Sequence, residues 1–511
     1  MAYNTFSAIH VGSGEVMMKV YEMSKKNGIR QIDYLRYYIE LGSDTYTKGY
    51  IDHSLVYELC NVLDGCRMKL EEYRTKSYLA YATGALTESS NCDLILDQIR
   101  IRTGLELQTI SNARQRFFQL KSLSVSMPEF EKITQEGAVI ADMGTGSLQL
   151  TVYEAGKLIF TQNLRLGSLR IREILSDVEG RSSNFSAVMD DYIGNDFDTL
   201  SFFFKNHTGL RHMVISGEEL LFVMKIVNDS DDNKALKRNK FAGIYESINA
   251  LSVDELSVKY SIPYEVANLL KPALAVYRGL IETAGTKRIW SSTSDLCDGM
   301  AWEFFEQNTG SKPVHDFTED MISYSRVIAE KYRSNSRHTA NVEYLALSIF
   351  DAVRKYAALT QEDGLLLRIS CILHDSGKFV NMTNGTDNSY FIVLGTDFIG
   401  ISEDEKKIAA NVIKYNSWSH VPAIEELSMP LSKKAYIRML KLTSILRLAN
   451  AIDRSHRQKV DKVTVSVKEK KLLIRADTIY DITLEQNIVN DKGVFFEEVY
   501  GLMPQLRLKR R

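Results

Sequence analysis

One glycine hairpin occurs twice in this chain, 132 residues apart, and that repetition limits the folds open to it. His10-Val11-Gly12-Ser13-Gly14-Glu15-Val16-Met17-Met18-Lys19-Val20-Tyr21-Glu22 lies over Asp142-Met143-Gly144-Thr145-Gly146-Ser147-Leu148-Gln149-Leu150-Thr151-Val152-Tyr153-Glu154. Each copy follows a short apolar run, Ala8-Ile9 or Ala138-Val139-Ile140-Ala141, and opens into residues of β-strand type. Each therefore reads as strand, tight glycine turn, strand. A repeat of this kind predicts two related lobes facing each other. Glycine serves a turn at positive φ, or one whose backbone N–H groups must approach a phosphate with no Cβ between. Gly12, Ser13, Gly14, Gly144, Thr145, Gly146 and Ser147 thus form a candidate phosphate clamp.

The rest of the first 307 residues supports two α/β lobes. Leu55, Leu59, Val62, Leu63, Cys66 and Leu70 are spaced as on a helix, within about 50 to 80. A strand is expected at 78–83, a helix at 94–103 stopped by Gly104, and a strand at 107–111. In the second lobe, strands are expected at 213–217 and 288–292 around a helix from 263 to 284. After the turn Asn308-Thr309-Gly310-Ser311 the pattern becomes helical, with Val342, Leu345, Ala346, Ile349, Phe350 and Val353 on one face. Val463–Val467 and Lys471–Arg475 flank a charged turn and read as a β-hairpin. The expected domains are 1–125 and 126–307 as lobes, 308–457 as a helical domain and 458–511 as a small β-rich one.

Composition narrows the function classes. Lys and Arg number 63 against 65 Asp and Glu, which gives no electrostatic case for DNA or membrane binding. The basic end, Arg507-Leu508-Lys509-Arg510-Arg511, reads as a solvated tail. Cys60, Cys66, Cys92, Cys297 and Cys371 are scattered, with no CxxC pair, as expected of reduced thiols in a cytoplasmic protein. No apolar run approaches the ~18 residues of a spanning helix. The aromatic run Phe202-Phe203-Phe204 is read as packing, and His207, His212 and His315 have no partner pattern.

The two hairpins, Ala82-Thr83-Gly84-Ala85-Leu86, Leu166-Gly167-Ser168-Leu169-Arg170 and Ile215-Ser216-Gly217 fall in an order that resembles the exopolyphosphatase / guanosine pentaphosphate phosphohydrolase family. The resemblance implies two actin-like (ribonuclease H-like) α/β lobes, an all-α HD domain and a small C-terminal domain. It also implies phosphoanhydride hydrolysis in an interlobe cleft, polyphosphate or a guanosine polyphosphate nucleotide as ligand, and a homodimer. By the same resemblance Arg170, Ser216 and Gly217 join the phosphate-binding residues and Asp142 is the catalytic candidate. The departures are specific: His10 stands for an Asp, Thr87 for a phosphate-binding Arg, Arg114-Gln115 for a Glu-Glu pair and Gln149 for a Glu. Hydrolysis needs donors on the phosphoryl oxygens and a carboxylate to orient or deprotonate water. Asp142 is the carboxylate retained, and it could hold Mg²⁺ through water. Three readings stay open: a cleft that keeps its turns for folding alone, one that binds without cleaving, and one that still hydrolyses.

A second constellation lies in the helical region. His338, His374-Asp375 and Asp453 occur in the order H…HD…D on separate expected helices. Imidazole and carboxylate donors suit one Mn²⁺, Fe²⁺, Co²⁺ or Zn²⁺ ion, and such an ion with its activated water could hydrolyse a phosphoester. The bland alternative for His374 is a solvated helix end. Asn388 and Asn416 occupy positions where the resemblance implies further histidines, so a second ion is not expected, although His420 could approach.

Overall fold

The computed structural model describes residues 4–179, 181–182, 185–217, 235–418 and 420–508, so Lys509–Arg511 of the basic tail lie outside the described residues. The chain forms two compact units, Met1–Asp316 and Phe317–Arg511.

The first unit contains two sheets of one design. In the first, β1 (Asn4–Val11), β2 (Glu15–Ser24), β3 (Gly28–Tyr38), β4 (Ser77–Ala82) and β5 (Gln108–Thr109) are ordered β3-β2-β1-β4-β5. In the second, β6 (Ala138–Met143), β7 (Leu148–Glu154), β8 (Lys157–Leu164), β9 (His212–Ser216), β10 (Ala235–Lys237) and β11 (Arg288–Ser292) are ordered β10-β11-β9-β6-β7-β8. Antiparallel β1-β2-β3 corresponds to antiparallel β6-β7-β8, and the parallel β1-β4-β5 run to β6-β9-β11. The register shifts between Val20 and Tyr21 in one sheet and between Val152 and Tyr153 in the other, again 132 residues apart. A bulge accentuates local twist, so both hairpins curl alike.

Strand alternation decides which layer each residue joins. Ile9, Val11, Val16, Met18 and Val20 pack with helices His53–Glu72 and Cys92–Thr103 on one face of the first sheet. Phe6, Ala8, Met17, Tyr21 and Met23 face the other way, onto Phe118, Leu296, Met300 and Phe305. Leu296–Thr309 starts in a capping box of Asp295 and Asp298 and ends at left-handed Gly310. The predicted 107–111 strand shortens to β5 because Ser111 instead accepts from Arg114 N and caps helix Asn112–Ser126. That helix buries Arg116, Gln119 and Lys121, and the Lys121 ammonium is held by Glu303 and Glu306.

In the second unit, seven-residue-scale apolar spacing becomes packed helices, among them Ser336–Val353, Gln361–Leu373, Glu403–Tyr415 and Lys433–Ile452. β12 (Val463–Lys468) and β13 (Lys471–Ala476) form the expected hairpin, its turn residues Glu469 and Lys470 both at positive φ. β14 (Met503–Leu508) adds a parallel third strand. The 458–511 stretch also contains the helix Thr483–Tyr500, which accounts for 18 residues and is the longest element there. Among the described residues no helix is long and apolar enough to cross a membrane.

Candidate functional sites

The two glycine turns close in the same way. Gly12 N donates to Glu15 O at 2.8 Å, and Gly144 N to Ser147 O at 2.9 Å. None of Gly12, Gly14, Gly144 and Gly146 has positive φ, which corrects the expectation that handedness demands them. Close approach explains two of them. A Cβ on Gly14 would lie 2.9 Å from the Thr145 side chain, and one on Gly146 would lie 2.2 Å from Tyr46 Oη and 2.7 Å from Ser13 Oγ. The turns of the two lobes therefore touch across the cleft. Gly167 meets backbone, since its Cβ would lie 2.3 Å from Thr145 O and Gly146 C. Backbone cannot swing aside, so Gly167→Ala should cost about 3 kcal/mol in urea unfolding of this unit; unchanged stability would show that the turns can part.

The amide N–H groups of Ser13, Gly14, Thr145 and Gly146 have no hydrogen-bond partner among the described residues. They border a cleft of about 110 Å³ lined also by His10, Glu15, Glu40, Thr83, Gln115 and Glu265. An adjoining recess of about 130 Å³ shares His10, Glu15, Gln115, Met143 and Gly144 with it and adds Arg36, Asp142, Gly217 and Asp295. Ser13 Oγ is engaged, accepting from Tyr46 Oη at 2.7 Å and Ala85 N at 2.9 Å. Arg170 is not in the lining: its Nε donates to Gly146 O at 2.7 Å, its Nη2 to Glu88 at 2.6 Å, and its guanidinium lies 3.8 Å over the Tyr46 ring. It fastens one turn to the opposite lobe.

Asp142 ends β6. Ser216 Oγ donates to its Oδ1 at 2.7 Å, and Oδ2 has no hydrogen bond among the described residues. Burial raises its carboxyl to about 6, against the Ser216 bond and the Arg116 charge, which lower it. Burial, with Arg36 nearby, holds His10 neutral at about 4, and its Nε2 and Thr83 Oγ1 hydrogen-bond at 2.8 Å. Gln149 is the cross-strand partner of Asp142, so both side chains stand on one face of the sheet. It is 2% exposed, and among the described residues neither its amide oxygen nor its amide nitrogen has a partner. An orphaned buried amide beside a carboxylate with a free oxygen fits a small hard cation that takes oxygen ligands. Among the described residues Arg36 is the one cation lining cleft and recess, and its Nε lies 2.9 Å from Glu15 Oε2.

The second unit gathers all four sequence-predicted metal residues, each at a helix terminus. Asn335 caps Ser336–Val353 through His338 N; His374 ends Gln361–Leu373, and Asp453 ends Lys433–Ile452. Asp453 Oδ2 lies 2.8 Å from His338 Nδ1, and Cys371 O lies 2.8 Å from His374 Nδ1. With each Nδ1 donating to its oxygen, the Nε2 atoms carry lone pairs, and they face each other at 3.3 Å. Asp375 lies 3.4 Å from one and 3.9 Å from the other. Two converging imidazole lone pairs and a carboxylate, with the rings oriented from behind by oxygen acceptors, fit a divalent transition ion. Burial opposes ionisation of Asp375, yet His374 and Lys378 hold it at about 2.

Sequence reasoning missed two members of this cluster. Lys378 Nζ sits 2.7 Å and 2.8 Å from the Asp375 oxygens, in the position of a cation. His456 stacks on His338 with ring centroids 3.6 Å apart and planes within 11°. One ligand atom each of His338, Asp375 and His456 lie within 4.8 Å of one another, so His456 is a further candidate ligand beside His374. Its place three residues after Asp453 was the available signal.

Residues 324–497 match the family model described as Ppx/GppA phosphatase, domain III. The chain is 20% identical over 457 residues to a guanosine-5'-triphosphate,3'-diphosphate pyrophosphatase of Vibrio vulnificus, covering 83% of this chain and 84% of the relative. It is 19% identical over 414 residues to one from Photobacterium profundum, covering 80% and 78%. An exopolyphosphatase from Cytophaga hutchinsonii shares the fold at a TM-score of 0.52 and 14% identity, over 60% of this chain and 98% of that one. The domain III match and the relatives aligned along most of the chain support membership of the Ppx/GppA phosphatase family.

Proposed function

We propose that the interlobe cleft binds a phosphoanhydride, either inorganic polyphosphate or the phosphate tail of guanosine pentaphosphate, and hydrolyses it with Asp142 as general base. The observation that carries this reading is the Asp142 carboxyl, raised to about 6 in the recess, one oxygen held by Ser216 and the other unengaged. A base titrating near working pH is the efficient kind. The unpaired N–H groups of Ser13, Gly14, Thr145 and Gly146 supply donors for phosphoryl oxygens. Ser216 fixes the Asp142 carboxylate so that its free oxygen takes the proton of an attacking water. Glu15, Glu40 and Glu265 on the cleft wall disfavour a bare polyanion, so the ligand enters with its charge neutralised. Mg²⁺ entering with the ligand, held by its phosphates and by the Gln149 amide oxygen, would supply that neutralisation and polarise the phosphoryl group, leaving the free Asp142 oxygen for the proton.

Gln149 makes the reading testable by gain of function. Gln149→Glu places a second carboxylate beside Asp142 and within the same burial as the Arg116 cation, and should raise Mg²⁺-dependent phosphate release at least about tenfold. An unchanged rate, with Mg²⁺ binding also unchanged in calorimetry, would contradict the role given to this face of β6 and β7. Ligand binding with no release by any variant would leave a sensor of the same phosphates.

A second reading has its own observation, the 3.3 Å approach of His338 Nε2 and His374 Nε2 beside Asp375. These residues would hold one divalent ion in an HD-type site, and that ion would supply an activated water for phosphoester hydrolysis. Release that depends on Asp375 and not on Asp142 would favour it.

A further inference from the structure

His10 and Asp142 stand at equivalent points of the repeat, each the residue before the last of its strand, β1 or β6. Their antiparallel partners, Met17 and Gln149, are equivalent too. A hydroxyl from the neighbouring parallel segment engages each of them. Ser216 Oγ lies 2.7 Å from Asp142 Oδ1, and Thr83 Oγ1, just beyond β4, lies 2.8 Å from His10 Nε2. Thr83 is itself anchored, its N donating to Val11 O at 3.0 Å. His10 lines both the cleft and the adjoining recess, and its ring lies under the first glycine turn, where a Cβ on Gly12 would come 3.4 Å from Cε1. The Nδ1 atom has no hydrogen-bond partner among the described residues.

Tying β1 to the end of β4 explains the Thr83 contact. It does not explain a half-buried imidazole at the cleft with one nitrogen unused. Neutral imidazole carries one proton, so when the Thr83 hydroxyl donates to Nε2 the proton is on Nδ1. Ionised phosphate oxygens only accept hydrogen bonds, and a bound phosphate therefore selects that tautomer. Burial, with Arg36 nearby, keeps the ring neutral at about 4, so it remains a donor without adding charge. A histidine held neutral in this manner can polarise an oxygen on which charge develops. Among the described residues Arg36 is the one cation lining cleft and recess, and it already faces Glu15. Uncharged N–H groups must then carry the phosphoryl contacts, and His10 adds a side-chain donor to the backbone ones.

We propose that His10 is a further catalytic residue of this cleft, its Nδ1–H donating to a non-bridging oxygen of the phosphoryl group under attack while Thr83 holds Nε2. The inference rests on the hydrolytic reading given above. As the water oxygen bonds to phosphorus, Asp142 takes one water proton and the bridging P–O bond breaks with its electron pair on the departing phosphate. His10 keeps its proton throughout and serves the charge spread over the equatorial oxygens. Phosphate release from inorganic tripolyphosphate with Mg²⁺ should be compared for the wild type, His10→Gln and His10→Asn. The glutamine amide reaches the place of Nε2 and leaves that of Nδ1 empty, whereas the asparagine amide nitrogen takes the place of Nδ1. The value of kcat should fall about 10²–10³-fold in His10→Gln and less than about tenfold in His10→Asn, as for loss and retention of one oxyanion donor. A second readout needs no turnover. With ¹⁵N-labelled histidines, and the His10 signals assigned by their absence from the variants, imidodiphosphate should leave Nδ1 protonated and Nε2 bare in the wild-type complex. Wild-type kcat in His10→Gln, or a complex with the proton on Nε2, would overturn this inference and leave the reading of Asp142 intact. No phosphate release by the wild type would overturn both.

Discussion

Asp142→Asn should lower phosphate release by about 10²–10⁴-fold, the range a positioned general base contributes, while making the protein more stable. The two effects have one cause. Burial lifts the Asp142 carboxyl from its ordinary 3.8 to about 6, so the folded chain retains a proton that the unfolded chain has released. The contribution of this group to stability is therefore greatest in acid and falls as pH rises through about 6. At neutral pH the ionised carboxylate is a liability of roughly 3 kcal/mol that asparagine removes. Wild-type release should accordingly rise with pH to a plateau above about 6. Paired rate and unfolding measurements check both effects. A variant that is less active and also less stable would mean that Asp142 is structural.

The second large effect concerns the His338–His374–Asp375 cluster. The purified chain should retain about one divalent ion per molecule by elemental analysis, and Asp375→Ala should lose it. At free metal a hundredfold above its dissociation constant, binding adds about 2.7 kcal/mol to the folded state. Chelation should therefore lower the melting temperature of the wild type and leave that of Asp375→Ala unmoved. The same experiment reports on Lys378, whose ammonium must leave the Asp375 oxygens before an ion can take them. Being 38% exposed, it has solvent to move into. A wild-type chain free of metal after purification and dialysis against Mn²⁺ or Zn²⁺ would assign the cluster to folding, where the buried His338–Asp453 contact already has a part.

The repeated glycine hairpin made the architecture legible because a turn of three or four residues between strands leaves little choice of pairing. The third strand of each sheet was not legible. β3 interleaves Arg30, Asp33 and Arg36 with Ile29, Ile32 and Leu35 at a sheet edge, where one face need not be apolar throughout. Helix Asn112–Ser126 also escaped notice, because it buries Arg116, Gln119 and Lys121 against partners contributed by distant segments. No local pattern reveals a cation that will be buried. For the same reason Arg170 reads in sequence as a phosphate ligand, while in the fold Glu88, Tyr46 and Gly146 take it up. The order of His338, His374, Asp375 and Asp453 was informative because those residues end helices, and helix ends are what a bundle brings together. His456, at positive φ just after helix Lys433–Ile452, has no periodicity to give it away.

The central claim is that phosphoanhydride chemistry resides at Asp142. The most direct test is phosphate release from long-chain polyphosphate and from guanosine pentaphosphate with Mg²⁺ and Mn²⁺, by the wild type, Asp142→Ala and Asp375→Ala. The account predicts release by the wild type and by Asp375→Ala, and its loss in Asp142→Ala. Release that survives Asp142→Ala and vanishes in Asp375→Ala would contradict it and move the reaction to the histidine cluster.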